Sequence, residues 1–407
     1  MDDRPLMFDE GETLSYGGLL EYANARKAER PVLKPRGISD FLKSFISSVA
    51  NGEDVTLLDA GMTEAEISAT GVPDPDKTWP AGKSRAFESA GELVGAFMES
   101  PSRISLFTSG TSGAPKMVSH TVRSLSRGLR RGAKHAGDVW GFAHSPTHMA
   151  GLQVLIQILA NENRAANLFR KPEAFISDAF DSFGITHISA SPTFYRMLLA
   201  SGRAHPSVRR VTLGGERSGR GLHAALLGIF PNARINNVYA STECGSLLCS
   251  SGEFFFVPED LRGLIKIDGR ELLVHSSLLG ASSGLEADGG FYRTGDMVEW
   301  EPGGARFRFV SREGSSANVG GYKVDMEEVE DAIRRMPEVS DAAVRAVKNS
   351  VTGAMLCADV KPAPGARVDI PGLRAFLAKS LQPFKIPRII RFVDEIESTG
   401  TGKKKRR

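Results

Sequence analysis

The densest set of groups able to do chemistry lies in Thr108-Ser109-Gly110-Thr111-Ser112-Gly113-Ala114-Pro115-Lys116. Glycines let a backbone approach phosphate oxygens closely, hydroxyls and amides donate to them, and a lysine adds a point charge. A Walker A loop is excluded, because Pro115 stands where the second glycine of G-x-x-x-x-G-K belongs. An isolated Ser/Gly stretch is ordinarily a turn. Here it follows the apolar run Ile104 to Thr108 and precedes a stretch read as helical through about Arg131, an order that favours phosphate binding. Further along stand Thr242-Glu243 after Tyr239, Asp296 after Gly295, and Lys403 at the head of a basic run. Singly, each has an ordinary reading: a solvated pair or cap, a turn aspartate, a solvated tail, and for Tyr239 a core aromatic.

These residues need a frame to hold them. Strand patterns at Val55–Asp59, Thr186–Ser189 and Val208–Leu213 alternate with helical ones at Thr193–Ala200 and Leu222–Ile229. That alternation predicts an α/β fold, with a large multi-layer N-terminal domain. Composition shifts at Pro302-Gly303-Gly304 and again at Gly320-Gly321. Beyond, Met326, Val329, Ile333 and Met336 form one helix face, with Asp325 as N-cap and Glu328 in the capping-box position. Strands at 342–347 and 354–360, a helix at 370–380 and a strand at 388–393 complete a small α+β domain. The expected boundaries are 1–311 and 312–407.

The chain has 407 residues, with 51 basic and 48 acidic side chains and a net charge of +3. Its last five residues are all basic, so the body is slightly acidic and no general nucleic-acid surface is expected. Three cysteines and no apolar leader or span predict a soluble cytoplasmic protein without a disulfide framework. Cys244 and Cys249 lack metal-ligand partners at usable spacing. Gly280-Ala281-Ser282-Ser283-Gly284 matches G-x-S-x-G, but the Glu286–Gly290 segment that follows breaks a helix, so it reads as a loop rather than a hydrolase elbow.

At the 108–116 loop the sequence resembles the adenylate-forming superfamily of acyl- and aryl-CoA synthetases, adenylation domains and luciferases. Five further motifs occur in order. Tyr239-Ala240-Ser241-Thr242-Glu243 is similar to YGxTE, and Tyr292-Arg293-Thr294-Gly295-Asp296 matches YxTGD. Arg312 to Glu330 resembles the hinge and glycine-loop motif, Leu381 to Pro387 the LPxYxxP segment, and Thr399 to Lys403 the terminal TxxGK. The resemblance runs from about residue 100 to the end. A length of 407 is short for the family, and the shortfall falls before residue 100.

The resemblance implies ATP, Mg²⁺ and coenzyme A as cofactors and a small carboxylic acid as substrate. It implies that Thr108, Ser109, Gly110, Thr111, Ser112, Gly113 and Lys116 hold the β- and γ-phosphates. Thr242 would contact the α-phosphate and Glu243 the metal. Gly214, Gly215, Glu216 and Tyr239 would enclose adenine, and Asp296 and Arg312 would take the ribose. Lys403 would bridge the substrate carboxylate and the α-phosphate. After adenylation the small, mobile C-terminal domain would rotate about Gly314, where the family usually carries Asp or Lys. Rotation would bring Gly320, Gly321 and Lys323 to the thiol step, and Asn318 is compatible with thioester formation.

His148-Met149-Ala150-Gly151-Leu152 resembles a segment bordering the acyl pocket and thiol tunnel, and a core or capping histidine is the bland alternative. With His148, the small residues Ala190, Ser191 and Ala240 would line that pocket. No Asp adjoins His148 in sequence to hold a substrate ammonium, which favours an acid without an α-amine. The expected reaction forms acyl-AMP and then a CoA thioester. One alternative delivers the acyl group to an acyl carrier protein's phosphopantetheine or to an amine. Another is a catalytically silent nucleotide-binding homologue, against which the intact Lys116, Glu243, Asp296 and Lys403 speak. Nothing in the sequence sets the oligomeric state.

Overall fold

The computed structural model describes all residues except 1, 63, 81–84, 109–115, 217, 219, 283–284, 313–315, 320–321, 350–352, 382 and 398–407. The chain divides into two compact units. One comprises Met1–Ile265 with Val274–Tyr292, and the other comprises Lys266–Leu273 with the chain from Arg293 onward. Among the described residues, no helix is long and apolar enough to cross a membrane.

The first unit is built on an eight-stranded sheet. Its spatial order is Gly245–Ser250, Arg234–Ser241, Arg210–Gly214, His187–Ala190, Val139–Phe142, Arg164–Asn167, Pro5–Asp9 and Glu12–Ser15. The six inner strands run parallel, and the two edge strands are antiparallel. Parallel neighbours require crossovers, and helices Met149–Ala160, Glu173–Ser182, Pro192–Leu199 and Arg220–Ile229 provide them. Buried strands of this kind carry apolar runs on both faces. Accordingly, one face packs Phe142, Leu152 and Leu155 with helices Tyr16–Ala25, Ile38–Ala50 and Ala90–Glu99. The other packs Ile188, Leu213 and Ile235 with Phe180, Tyr195 and Leu226.

A four-stranded sheet of the same unit orders Val32–Leu33, Val55–Leu57, Arg103–Thr108 and Lys116–Thr121. The last two are antiparallel, with Thr108 opposite Lys116 and Ile104 opposite His120. This corrects the expected helix after the glycine-rich loop. Residues 116–121 form a strand, and helix is confined to Val122–Leu125. Val118 and His120 are buried whereas Ser119 and Thr121 are only half-buried, a strand alternation that helical reading overlooked.

The second unit holds the strand Phe307–Arg312 and a further sheet of Tyr322–Asp325, Ser316–Val319, Gly353–Pro362, Val339–Asn349 and Ile389–Phe392. Helices Met326–Arg334 and Ile370–Leu377 pack on it through Val329, Ile333, Leu373 and Leu377. Asp325 is the N-cap, its side chain accepting from the Glu327 amide at 2.9 Å. Glu328 does not close a capping box; its carboxylate takes Lys385 Nζ at 2.7 Å. A full ammonium offers it a stronger partner than a backbone amide.

Gly151 lies inside helix Met149–Ala160, where a Cβ would sit 2.0 Å from the Ser145 carbonyl oxygen. The loop carrying residues 144–148 therefore folds onto its own helix at this glycine. Gly151→Ala is expected to lower the melting temperature by roughly 2–10 °C despite alanine's better helix propensity, because overpacking costs about 1–3 kcal/mol. Scanning calorimetry of the two proteins checks this, and an unchanged melting point would contradict the packing described.

Candidate active site

Strand order reverses beside Val139–Phe142. The chain leaves this strand toward Arg164–Asn167 on one side, whereas its other neighbour, His187–Ala190, continues toward Arg210–Gly214. Crossovers diverging from adjacent parallel strands leave a crevice at their carboxyl ends, the usual ligand position in such sheets. The loop 143–148 and Ser191 stand at this point. His144 Nε2 lies 3.2 Å from Ser189 Oγ across the two strands. Burial, reinforced by nearby His148, pushes the His144 imidazole down to about 4, so it is neutral at pH 7. Ser191 uses its hydroxyl as the N-cap of Pro192–Leu199, accepting from the Phe194 amide at 3.2 Å, and Ala190 is fully buried.

His148 occupies the N-cap position of Met149–Ala160 without making a side-chain cap. Its Nε2 instead meets Asp59 Oδ2 at 2.9 Å. Asp59 follows the strand Val55–Leu57, and its other oxygen accepts the Gly61 amide at 2.7 Å. The His148 hydrogen bond, opposed by partial burial, holds the Asp59 carboxyl below the usual carboxylate range. Sequence reasoning missed Asp59, which is 89 residues away. The available signal was a carboxylate placed directly after a buried strand end.

Two strands further along the sheet, Gly214 ends Arg210–Gly214 and Gly215 adopts φ +82°. The Glu216 carboxylate accepts from Thr193 Oγ1 at 2.9 and 2.8 Å and lies 3.6 Å from Arg196. The next strand carries Tyr239 and Ala240, and its pairing with Gly245–Ser250 shifts register between them. Such bulges re-aim side chains and bend the strand. Thr242, Glu243 and Cys244 form the connecting loop, with Ser241 opposite Gly245, whose φ is +68°.

Donors outside that loop hold all three of its carbonyls. His120 Nε2 reaches the Thr242 oxygen at 2.8 Å, and the Gly280 amide donates to the Glu243 oxygen at 2.8 Å. Arg127 donates to the Cys244 oxygen at 3.0 Å and to Leu278 at 3.1 Å. Reciprocal bonds of 2.8 Å between Ser119 and Ala281 dock the segment that supplies Gly280. The G-x-S-x-G match thus contributes a brace through its first glycine. The half-buried Glu243 carboxylate has no hydrogen bond or ion pair among the described residues.

In the second unit, Asp296 and Arg312 are cross-strand partners, so the two residues expected at a ribose are adjacent. Gly295 has φ +73°, and its amide donates to Glu271 Oε1 at 2.9 Å. The Asp296 amide donates to Thr294 Oγ1 at 3.0 Å, and that hydroxyl donates to the Leu272 carbonyl at 2.7 Å. Glu271, which sequence reasoning also missed, is buried and pairs with Arg293 at 2.5 Å. Lys323 lies in Tyr322–Asp325, opposite Asn318. Ser109, Gly110, Thr111, Ser112, Gly113, Gly314, Gly320, Gly321 and Lys403 lie outside the described residues. Thr108 and Lys116 flank the first of these segments.

The fold is that of an α/β protein, and in its first unit the candidate side chains stand at the carboxyl edge of a parallel sheet. The family model for AMP-binding enzymes matches residues 52–264, and that for the AMP-binding enzyme C-terminal domain matches 328–403. The chain belongs to this family of adenylate-forming enzymes. It is 25% identical over 355 residues to surfactin synthase subunit 1 of Bacillus subtilis (strain 168), covering 74% of this chain and 10% of that protein. It is 26% identical over 337 residues to a salicylyl-CoA synthase / salicylate adenylyltransferase of Streptomyces sp, covering 73% of this chain and 60% of that one. The chain thus spans less than two thirds of either relative. Among solved structures, o-succinylbenzoate CoA synthetase from Bacillus subtilis in complex with the acyl-adenylate intermediate superposes with a TM-score of 0.74. That match covers 99% of this chain and 94% of the other at 18% identity, a likeness of fold.

His144 yields a pH prediction. Its imidazole titrates near 6.5 when unfolded and near 4 when folded. As pH falls from 6.5 toward 4, the unfolded chain binds a proton that the folded chain refuses, and stability declines by at most about 1.4 kcal/mol per pH unit. Above 6.5 the term vanishes. The stability difference between wild type and His144→Gln should therefore change with pH across that window and stay flat from pH 7 to 8. Denaturant titrations at each pH read it.

Proposed function

We propose that the protein activates a carboxylic acid with ATP and transfers the resulting acyl group to the thiol of coenzyme A. The observation that carries this reading is the Thr242–Glu243 loop. It presents a carboxylate without a partner among the described residues at the carboxyl edge of the sheet, on a backbone whose carbonyls are already satisfied. Among the described residues, no group of three or more His, Cys, Asp or Glu is placed to hold a metal. A lone carboxylate suits Mg²⁺ nonetheless, since that ion keeps waters and is commonly bound by one or two carboxylates plus substrate phosphates. Held by Glu243, Mg²⁺ would supply neutralisation of phosphate charge.

In the first half-reaction, a substrate carboxylate oxygen attacks the α-phosphorus. The bond to the β-bridging oxygen breaks, leaving acyl-AMP and pyrophosphate. Lys403 supplies positive charge to both reacting anions, and Thr242 donates to the α-phosphate. Lys116 and the 109–113 loop hold the leaving phosphates. Gly214 to Glu216 and Tyr239 enclose adenine, and Asp296 with Arg312 takes the ribose hydroxyls. In the second half-reaction, the thiol sulfur loses its proton and attacks the acyl carbon, and the carbon–oxygen bond to AMP breaks. Residues 312–407 turn about Gly314 between the two, bringing Gly320, Gly321 and Lys323 to the thiol.

The acid occupies the crevice of His144, His148, Ala190, Ser191 and Ala240. Asp59 approaches this crevice, but Gly61 and His148 already engage its two oxygens, which supports an acid lacking an α-amine. The match to surfactin synthase subunit 1 favours a second reading, in which the acceptor thiol is a carrier protein's phosphopantetheine. Three free cysteines, two of them buried, accord with work in the reducing cytoplasm.

Acid-dependent exchange of pyrophosphate into ATP tests the first half-reaction, and its absence across fatty, aryl and small organic acids would defeat the proposal. Glu243→Gln should lower exchange by at least about 100-fold, in line with losing a main charge-stabilising group. Lys403→Ala should abolish exchange yet leave thioester formation from preformed acyl-AMP; equal loss of both would refute its role. Product masses with CoA or a phosphopantetheinylated carrier present separate the two acceptors.

A further inference from the structure

His120 belongs to the strand Lys116–Thr121, which leads out of the glycine-rich loop, and its buried ring reaches a loop 122 residues later in the chain. At its Nε2 stands the Thr242 carbonyl, which only accepts, so the proton is on Nε2 and the ring donates it. Nδ1 faces Ser124 Oγ at 3.2 Å. The ring is boxed in: a Cβ on Gly280 would lie 2.6 Å from Nε2 and 2.7 Å from a methyl of Val118.

Charge explains why a neutral donor serves here. Among the described residues, the charged groups acting on the ring are Arg127 and Glu243. Burial, helped by the nearby Arg127 guanidinium, outweighs the Thr242 carbonyl and the Glu243 carboxylate and keeps His120 below its ordinary value, hence uncharged at neutral pH. An ammonium at this position would oppose a cation on Glu243; an imidazole satisfies the same carbonyl without that repulsion.

We infer that His120 is a positioning residue: by donating to the Thr242 carbonyl, it fixes the Thr242–Glu243 peptide to the strand leaving the phosphate loop. The spacing between the metal-binding carboxylate and the phosphate-holding hairpin is thereby set in the protein rather than by the ligand. This rests on the adenylation reading of Thr242, Glu243 and residues 109–113.

The test compares His120→Leu, which removes the donor, with His120→Gln, whose amide nitrogen reaches the place of Nε2. ATP binding is measured by titration calorimetry against Mg²⁺ concentration, and pyrophosphate exchange is measured in parallel, well below each variant's melting temperature. In His120→Leu the Mg²⁺ concentration for half-maximal binding and exchange should rise about tenfold, the order expected when a buried carbonyl loses its partner. ATP binding without Mg²⁺ should stay within about twofold of wild type, since the donor acts on the metal-bearing loop. His120→Gln should restore most of the Mg²⁺ dependence. Wild-type Mg²⁺ dependence in His120→Leu, or equal loss in His120→Gln, would overturn the inference. If His120→Leu does not fold, His120→Asn replaces it, because its shorter amide cannot reach Thr242 and should show the same loss. A wild-type protein that binds ATP with Mg²⁺ but exchanges no pyrophosphate would sink the adenylation reading, while the binding curves would still decide the role of His120.

Discussion

Between Val139–Phe142 and His187–Ala190 the chain departs in opposite directions, and much of the molecule follows from that divergence. Right-handed crossovers place helices on both faces of a parallel sheet. Where two adjacent strands send theirs apart, neither helix covers the strand ends between them. His144, His148 and Ser189 meet there, while Gly214 and Thr242 end the next strands in line. The site is thus a property of strand order before it is one of side chains.

The Thr242–Cys244 loop illustrates how such an end is made definite. A carbonyl withdrawn from water without a donor costs on the order of 1–3 kcal/mol. Three in succession would favour a looser conformation. They are met here by an imidazole, a backbone amide and a guanidinium from three separate segments. Asp296 is placed by similar means, through Thr294 on its own strand and Glu271 across the sheet. In both places the backbone is fixed by groups other than the carboxylate it carries.

Local signals in the sequence located most elements. Strands with β-branched runs, such as that ending at Leu213, and the amphipathic helix from Met326 were readable because their periodicity is set by burial on one face. Lys116–Thr121 was not, because its strand character comes from pairing with Arg103–Thr108, and Lys-Met-Val-Ser-His-Thr fits a helix nearly as well. The phosphate reading of the glycine-rich loop drew on its composition and on the helix expected after it; the strand removes the second support and leaves the first. The electrostatics change as well, because a strand at 116–121 places no helix dipole directly after the loop, and Lys116 is the cation that flanks it. Asp59, His120, Arg127 and Glu271 escaped notice because each acts through a partner between 24 and 122 residues away. Single-sequence patterns carry almost no information at that range. Tyr239, Glu243, Asp296 and Arg312 were found through a resemblance, which in effect borrows such long-range information from relatives.

Gly280 has a bearing on how this site can change over generations. Its missing side chain makes room for His120, and its amide serves Glu243. A side chain at 280 would press on the imidazole, and a residue at 120 with no donor of the same reach would release Thr242. Position 280 therefore cannot gain a side chain while the imidazole stays where it is. Change at this loop would have to begin at position 120, with a side chain that keeps the donor and clears the space beside residue 280.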